Sequence, residues 1–187
     1  MTSTAGRIRT DRVVLTALSA GDAPAMVEVL GDPALYEFTG GEPPTLDALT
    51  ARYASQVAGS NRRDELWHNW IVRRQPDDEP VGFVQATVVG PTAEIAWVIG
   101  TPWQRQGLAR EAVRAVAGWL RAHGTERLIA HIHPEHVASE RVAVAVGLVV
   151  TDEVDDDGER LWAATLPPTA PNYAGVMSTP SREPNRA

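Results

Sequence analysis

The stretch WQRQGLAREA, residues 103–112, decides how this sequence is interpreted, because it places polar donors and one glycine directly before a helical pattern. Apolar residues recur at helical spacing from Leu108 to Leu120, and Gly124 ends the predicted helix over residues 108–123. The first turn of a helix has backbone N–H groups without intrahelical partners, and the peptide dipoles give it partial positive charge. Such a helix start can bind a diphosphate without any lysine.

The residues around Gly107 suit a phosphate contact. Gly107 has no Cβ, so the backbone could approach a ligand closely there, and Ala109 keeps the next turn small. Further side-chain donors come from Gln104, Arg105, Gln106 and Arg110. The spacing Q-x-x-G-x-A also occurs in ordinary loops, so on its own it leaves both interpretations open. It is neither the G-x-G-x-x-G dinucleotide pattern nor a P-loop, because no G-K-[ST] follows.

The composition excludes several classes of function. The 187 residues are 43% hydrophobic and 22% charged, as in one soluble globular domain. The net charge of −7, with arginine as the only strong base, argues against a nucleic-acid-binding protein. The chain has no cysteine and therefore no disulfide and no thiolate nucleophile. Without a long apolar run or a secretory signal, we expect no membrane contact and a cytoplasmic location.

The pattern along the chain predicts an α/β domain. Helices are predicted over residues 23–30, 46–59, 108–123 and 138–146. Strands are predicted over residues 7–18, 66–74, 81–89, 93–100, 127–134, 148–154 and 159–166. The first half is expected to be mostly antiparallel, while the strand–helix–strand unit around 108–123 makes its two flanking strands parallel. We expect one domain over residues 1–166 and a flexible Pro-rich tail over residues 167–187.

Two segments resemble the acyl-CoA-binding core of the GNAT acetyltransferases. AEIAWVIGTPWQRQGLAREA resembles that family's strand followed by [QR]-x-x-G-x-[GA] at a helix start. RLIAHIHPEHVASERVAVAVGL is similar to its next strand, N-x-x-S motif and helix, with His136 in place of the asparagine and Ser139 as the serine. The opening RTDRVVLTALSAGDAPAMVEVL looks most like the Rim-type branch, which includes N-terminal acetyltransferases of ribosomal proteins. The resemblance spans roughly residues 8–166.

The resemblance implies a GNAT fold, in which a mixed, mostly antiparallel sheet holds one parallel, splayed strand pair and carries flanking helices. It also implies acetyl-CoA, or another acyl-CoA, as co-substrate, with its pantetheine arm between the strands at 93–100 and 127–133. The co-substrate-binding residues that it implies are Val98, Ile99, Gly100, Gln104, Arg105, Gln106, Gly107, Leu108, Ala109, Arg110, His136 and Ser139.

The implied chemistry is direct attack of an amine on the acetyl thioester, which needs a base to remove the ammonium proton. Glu94 is the first candidate, on the strand where some family members carry a catalytic glutamate, although a strand-end carboxylate facing water or an arginine is an equal alternative. Glu37 is the second candidate, or a carboxylate that only selects a cationic acceptor. Asp152 and Glu153 are the third.

The oxyanion and the leaving thiolate also need partners. A backbone N–H at Val98 or Ile99 would stabilise the oxyanion. Many family members protonate the thiolate with a tyrosine, but Ala143 stands at that position here. Ser139 matches the serine that the Rim-type branch places near the sulfur, and its alternative role is to cap the following helix.

The acceptor side is predicted to include Tyr36, Glu37, Phe38 and Trp70, with walls from residues 31–45 and 152–158. His131, His133 and His136 lack a carboxylate or cysteine at ligand spacing, so no metal site is predicted.

The sequence therefore predicts an acetyl-CoA-dependent N-acetyltransferase that acts on a primary amine of a small-molecule or aminoacyl-like acceptor. Acetylation of a protein N-terminus is the close alternative. The expected partner is therefore either a small-molecule amine or a peptide amine. A non-catalytic acyl-CoA-binding module and an interaction domain without a coenzyme A site are the other classes. A homodimer is also possible, since dimers are common in the family.

Overall fold

The computed structural model describes residues 5–167, which form one eight-stranded sheet with four helices. The helices are α1 (Ala23–Val29), α2 (Leu46–Ala58), α3 (Leu108–Ala122) and α4 (Val137–Ala145). The strands are β1 (Ile8–Arg9), β2 (Val13–Ala17), β3 (Glu65–Arg74), β4 (Glu79–Val89), β5 (Thr92–Ile99), β6 (Arg127–Ile132), β7 (Val149–Val154) and β8 (Arg160–Thr165). Residues 168–187, and with them nearly all of the predicted tail, lie outside the described residues, so the tail stays a prediction.

The strands lie in the order β1-β2-β3-β4-β5-β6-β8-β7. Every neighbouring pair is antiparallel except β5 and β6, which flank α3 and run parallel. The predicted mixed sheet with one parallel pair is therefore confirmed. None of the helices in the described part of the chain is both long and apolar enough to cross a membrane.

One predicted element is wrong in detail. The strand expected over residues 7–18 is instead two short strands, with Ile8 opposite Leu15. The backbone N–H of Thr10 donates to the carbonyl of Val13 at 3.0 Å and the Thr10 hydroxyl accepts from the Val13 N–H at 3.2 Å, so this turn folds the chain back on itself. Thr10 and the following Asp11 are turn formers, which the β-branched residues on either side concealed.

Two cores lie on opposite faces of the sheet. The larger core packs α3 and α4 against one face, with Val113, Val116 and Leu120 fully or almost fully buried. The smaller core packs α1 and α2 against the other face, around Met26 and Tyr53. Alternate residues of each strand point to opposite faces, so they divide between the two cores.

Both helices of the β5–α3–β6–α4 unit end at a left-handed glycine, as the sequence predicts for Gly124. After α3, Gly124 has a φ of 93°, and the N–H of Thr125 donates to Leu120 O at 3.1 Å. After α4, Gly147 has a φ of 91°, and the Leu148 N–H donates to Ala143 O at 3.0 Å. This is the Schellman arrangement, and it fixes where each helix stops and the next strand begins.

Candidate active site

Strands β5 and β6 separate after only three paired positions. The last pair is Glu94 and Ile129, although β5 continues to Ile99 and β6 to Ile132. Beyond this pair the two strands leave a gap that opens toward the start of α3. The sheet therefore contains an inner edge with unpaired backbone groups, as the sequence predicts.

The backbone on the β5 side of the gap is set by its pairing with β4. The Gly100 N–H donates to Val81 O at 2.9 Å, so the backbone groups of Gly100, and by alternation those of Val98, point toward β4. The Ile99 carbonyl points the other way and accepts from Gln104 Nε2 at 2.9 Å. Of the two predicted oxyanion donors, the N–H of Ile99 therefore faces the gap and that of Val98 does not.

The loop before α3 presents a row of free backbone donors. Within residues 5–167, no acceptor binds the N–H groups of 105–110, and the first helical bond is from Glu111 N–H to Gly107 O at 3.1 Å. Arg105 and Gly107 both have positive φ, at 61° and 79°, which turns the loop around the helix start. These donors and the positive end of a 15-residue helix together form an anion site.

A residue that the sequence analysis missed holds this loop in place. Arg12, just before β2, donates from Nη1 to Gln106 O at 2.8 Å and from Nε to Glu111 Oε2 at 2.7 Å. Glu111 also accepts from the Thr10 hydroxyl at 2.6 Å and from the Arg12 N–H at 2.9 Å. The β1–β2 turn is thus bonded to the first turn of α3. No local signal in the sequence links Arg12 with Glu111, because they are 99 positions apart.

The start of α4 lies at the other side of the gap. His136 is the N-cap, and its Nδ1 accepts from the Ser139 N–H at 3.0 Å. Nδ1 must be unprotonated to accept this bond, so an imidazole performs here the acceptor role of a capping asparagine. Ser139 is in the first turn and is not the cap, which leaves its hydroxyl without a partner among the described residues.

Glu94 and His131 form a bonded pair where the strands separate. Glu94 Oε1 is 2.9 Å from His131 Nδ1, and both side chains are on the face opposite α3. The imidazole of His131 is 28% exposed and the carboxyl of Glu94 49% exposed. Glu94 is therefore neither an isolated strand carboxylate nor paired with arginine, and the sequence analysis missed this role of His131.

Further polar groups surround this pair. Glu159, at the end of the β7–β8 turn, has its pKa raised by burial and by Asp155, while the imidazoles of His131 and His133 partly lower it. By contrast, Asp152 and Glu153 are exposed on the edge strand β7, and β8 separates them from β6. Glu159 therefore lies close enough to His131 and His133 for their imidazoles to affect its pKa, whereas the third predicted candidates for the base, Asp152 and Glu153, lie on a strand that does not neighbour β6.

The predicted acceptor-side loop reaches the same region. The ring of Phe38 packs against His133 and His136, with centroids 5.5 Å and 4.7 Å apart. Tyr36 donates its hydroxyl to Leu30 O at 3.0 Å and is half-buried, whereas Glu37 is exposed. The loop thus crosses from α1 to the start of α4 and covers one end of the gap.

Trp70 lies in the core and not on the predicted acceptor side. It is fully buried against Trp119 on the α3 face and donates its indole N–H to Gly6 O at 2.9 Å. The expectation that Trp70 lines an acceptor pocket is therefore wrong. Since strand residues alternate between faces, Trp67 and Asn69 lie on the opposite face of the sheet. This face, which α1 and α2 cover only in part, is called the open face below. The tryptophan predicted for the acceptor side therefore lies on the opposite face of β3 from the groove.

That open face carries a groove between α2 and strands β3 and β4. Its volume is about 540 Å³. The groove is lined by Arg52, Ser55, Gln56, Glu65, Trp67, Asn69, Gln85, Ala86 and Thr87. Thr87 is directly opposite Glu94 in the β4–β5 register, so the groove adjoins the Glu94–His131 pair.

With this geometry in place, the comparisons with known proteins identify the family. The family model described as acetyltransferase (GNAT) domain matches residues 12–149, well over half of the chain. The chain belongs to the GNAT acetyltransferase family. As a GNAT acetyltransferase it uses acetyl-CoA as co-substrate and transfers the acetyl group to an amine. No curated protein sequence matches the chain.

Solved structures of GNAT proteins share its fold. An acetyltransferase (GNAT family) from Bacillus anthracis is 20% identical with a TM-score of 0.72, covering 86% of this chain and 98% of that one. The ribosomal L7/L12 alpha-N-protein acetyltransferase RimL, in complex with coenzyme A, is 15% identical with a TM-score of 0.74 over 86% and 98%. The aminoglycoside acetyltransferase AAC(6')-Ib, in complex with coenzyme A, is 19% identical with a TM-score of 0.67 over 82% and 94%. At these identities the likeness concerns the fold alone.

The donors of this GNAT domain fit coenzyme A. The free N–H groups at 105–110 suit its pyrophosphate, and the unpaired inner edge of β5 suits the amides of its pantetheine arm. Among residues 5–167, no group of three or more histidine or acidic side chains is arranged to hold a metal ion.

Proposed function

We propose that this GNAT acetyltransferase acetylates a primary amine of a small molecule, with the reaction centre in the gap between β5 and β6. The observation that carries the proposal is the arrangement of two sites along one gap. A row of free N–H groups lies at the start of α3, and the Glu94–His131 pair lies where the strands diverge.

The co-substrate half of the proposal rests on backbone groups. The N–H groups from Arg105 to Arg110 bind the pyrophosphate, with the side chains of Gln104, Arg105, Gln106 and Arg110 around them. Bound acetyl-CoA supplies the activated acetyl thioester. The Ile99 N–H, which faces the gap, donates to the carbonyl oxygen as charge develops there. Val98 and Gly100 shape the edge on which the pantetheine arm lies.

The transfer then needs two proton movements. After losing its ammonium proton, the acceptor nitrogen bonds to the carbonyl carbon, the carbon–sulfur bond breaks, and the nitrogen gives up a second proton, which balances the proton gained by the leaving thiolate. The ammonium proton of the acceptor goes to the Glu94–His131 pair. Because the Glu94 carboxylate binds Nδ1–H of His131, Nε2 is free to accept a proton, and we assign His131 as the catalytic base and Glu94 as its positioning residue.

The leaving thiolate is placed at the start of α4. The hydroxyl of Ser139 has no partner within residues 5–167 and can donate to the sulfur. The positive end of the α4 dipole also favours an anion at this position. Ser139 is thus proposed as the group that stabilises or protonates the thiolate, consistent with the Rim-type branch that the opening residues resemble.

A small molecule is favoured over a protein N-terminus by the shape of the acceptor side. The groove beside Glu94 has a volume of about 540 Å³, which is the size of a ligand pocket. Tyr36, Glu37 and Phe38 form the rim toward α4. The exposed carboxyl of Glu37 attracts a cationic acceptor and takes no part in proton transfer.

The first test is calorimetric titration of acetyl-CoA, run beside a thiol-release assay with pooled primary amines. We expect one co-substrate per chain and thiol release when amines are added. Release with peptides that carry a free N-terminus, and with no small amine, would overturn the small-molecule assignment. If acetyl-CoA and longer acyl-CoAs fail to bind, the assignment of residues 104–110 is wrong.

A further inference from the structure

The groove on the open face of the sheet ends in buried polar atoms that lack partners. Its floor continues into a smaller cavity of about 100 Å³, in which the side chains of Tyr53, Gln56, Asn69 and Gln85 are the uncharged polar groups beside Arg52 and the apolar Leu18, Phe83 and Val84. Tyr53 Oη and Gln56 Oε1 are buried and have no hydrogen-bond partner among the described residues. Buried polar atoms in folded proteins are nearly always paired. These two atoms are therefore available to pair with polar groups of a bound molecule.

Two side-chain amides form the wall of the cavity opposite Tyr53 and Gln56. Asn69 on β3 and Gln85 on β4 are directly opposite each other in the register, and both are half-buried. Within residues 5–167, neither amide makes a side-chain hydrogen bond, although each can donate and accept. The phenol of Tyr53 is a neutral donor, because burial raises its pKa to about 12. The groove thus offers donors and acceptors together, which is what hydroxyl groups need.

Trp67 gives the groove a flat apolar wall. Its indole N–H already donates to Glu65 Oε1 at 2.8 Å, so only the ring remains for a ligand. An exposed aromatic face packs well against the C–H face of a saturated ring.

The groove carries little net charge. Of the lining residues, only Arg52 and Glu65 are charged. The Glu65 carboxylate is already bonded to Trp67 and to the Ser60 hydroxyl, and Arg62 lies 3.6 Å away. Arg52 is exposed. An uncharged ligand body therefore fits this groove better than a charged one.

The groove leads to the reaction centre. Trp67 is opposite Thr87, and Thr87 is opposite Glu94, so three neighbouring strands connect the aromatic wall to the Glu94–His131 pair. Neighbouring strands are about 4.8 Å apart, which makes this path on the order of 10 Å. A ring with an attached amine spans such a distance.

We infer that this groove binds the uncharged, hydroxyl-bearing ring of the acceptor, and that the acceptor class is an amino sugar or a similar amino polyol. The inference rests on the proposed function, because it places the amine of the ligand beside Glu94. The hydroxyls bond to Tyr53, Gln56, Asn69 and Gln85, and the ring packs on Trp67.

The test compares glucosamine with cyclohexylamine, which share a ring and a primary amine but differ in hydroxyl groups. We expect the wild-type protein to have the higher kcat/KM for glucosamine at a pH where both are assayed. The Asn69→Ala/Gln85→Ala variant should raise the KM for glucosamine about tenfold or more and leave that for cyclohexylamine unchanged. Asn61→Ala removes an exposed amide outside the groove and should change neither value.

Tyr53→Phe keeps the test valid if the double variant folds poorly. It removes only an unpartnered buried hydroxyl, so the melting temperature should not fall, while the KM for glucosamine should rise several-fold. Equal changes for both amines, or no change for either, would overturn the inference and leave the acetyltransferase assignment standing. If none of the amines tested causes the wild-type protein to release thiol from acetyl-CoA, the proposed function itself fails.

Discussion

The two halves of the candidate active site are built from different materials. The co-substrate half consists mainly of backbone: the free N–H groups of 105–110, the inner edge of β5 and the dipole of α3. The acceptor half consists of side chains contributed by α2, β3, β4, β5 and β6. A site made of backbone depends on where chain elements begin and end, and tolerates most substitutions. A site made of side chains can change its specificity with single substitutions while the fold is kept.

The largest expected effect is at the backbone half. Gly107→Trp should reduce acetyl-CoA affinity at least 100-fold, because it strains a residue with φ of 79° and places a Cβ 3.4 Å from Arg12 Nη2, whose guanidinium holds the loop of free N–H groups. Calorimetric titration measures the change.

The matched control for this substitution is Gly124→Trp at the other end of α3. Gly124 has a φ of 93°, and a Cβ there would meet nothing within 4 Å, so it imposes similar backbone strain far from the loop. An equal loss of affinity in both variants would show that helix strain, and not occupancy of the phosphate site, causes the effect.

The next effect tests the acceptor half. His131→Gln should lower kcat by 10²- to 10⁴-fold near neutral pH, because no base remains to take the ammonium proton. The loss should shrink at high pH, where the amine is already neutral in solution. Glu94→Gln should lower kcat less than His131→Gln, since it removes only the group that holds the imidazole.

Acetyl-CoA affinity is the control readout for these two variants. If His131→Gln weakens acetyl-CoA binding as much as it lowers kcat, the imidazole contributes to acetyl-CoA binding and is not the base. A pH–rate profile that is the same in wild type and variant would contradict the assignment as well.

A smaller effect concerns the bond between the β1–β2 turn and α3. Glu111→Gln should raise the Kd for acetyl-CoA several-fold and leave kcat at saturation unchanged, because Arg12 would hold the carbonyl of Gln106 less firmly. Burial raises the pKa of Glu111, but the hydrogen bonds from Thr10 and Arg12 lower this pKa by a larger amount. The pKa of Glu111 is therefore below its ordinary value. Arg12→Ala should reproduce the change in Kd.

The pH dependence of stability gives a second check on this bond. A carboxyl with a lowered pKa stabilises the fold above its ordinary pKa of 4.5, and this contribution disappears as the pH falls through the lowered value. The difference in melting temperature between wild type and Glu111→Gln should therefore be constant above pH 6 and shrink below 4.5. A difference that stays the same at every pH below 4.5 would mean that the charge of Glu111 is irrelevant.

The smallest effect is at the cap of α4. His136→Ala should cost about 1 kcal/mol of folding stability or less, because the Ser139 N–H loses its side-chain acceptor and keeps only the backbone carbonyl of residue 136, at 3.0 Å. His136→Asn should restore most of that stability, since the asparagine oxygen can accept the same bond. Thermal unfolding measures both, and equal melting temperatures for the alanine and asparagine variants would contradict the capping role.

The local structure of the backbone half could be predicted because local patterns encode it. Gly107 before an amphipathic run and Gly124 after it mark both ends of α3, and the parallel β5–β6 pair follows from the helix between them. Likewise, the fold could be predicted almost completely. The exception is the first strand, where two turn-forming residues lie within a β-branched segment.

The acceptor half could not be predicted to the same degree because its contacts join distant segments. Glu94 and His131 are 37 positions apart and no sequence pattern pairs them; the pairing follows only from the point at which β5 and β6 diverge. The choice between Trp67 and Trp70 depends on which face of β3 the helix α3 covers. Two tryptophans three positions apart look alike in a sequence, but one is in the core and the other lines the groove.

The early divergence of β5 and β6 has a consequence for the stability of the molecule. An unpaired strand edge normally invites another chain to add to it, but this edge lies inside the sheet, where only a slender linear molecule can reach it. The pantetheine arm would therefore act as a missing strand. Co-substrate at 100 times its Kd would stabilise the folded state by about 2.7 kcal/mol. The lifetime of the folded protein would then depend on the supply of acetyl-CoA.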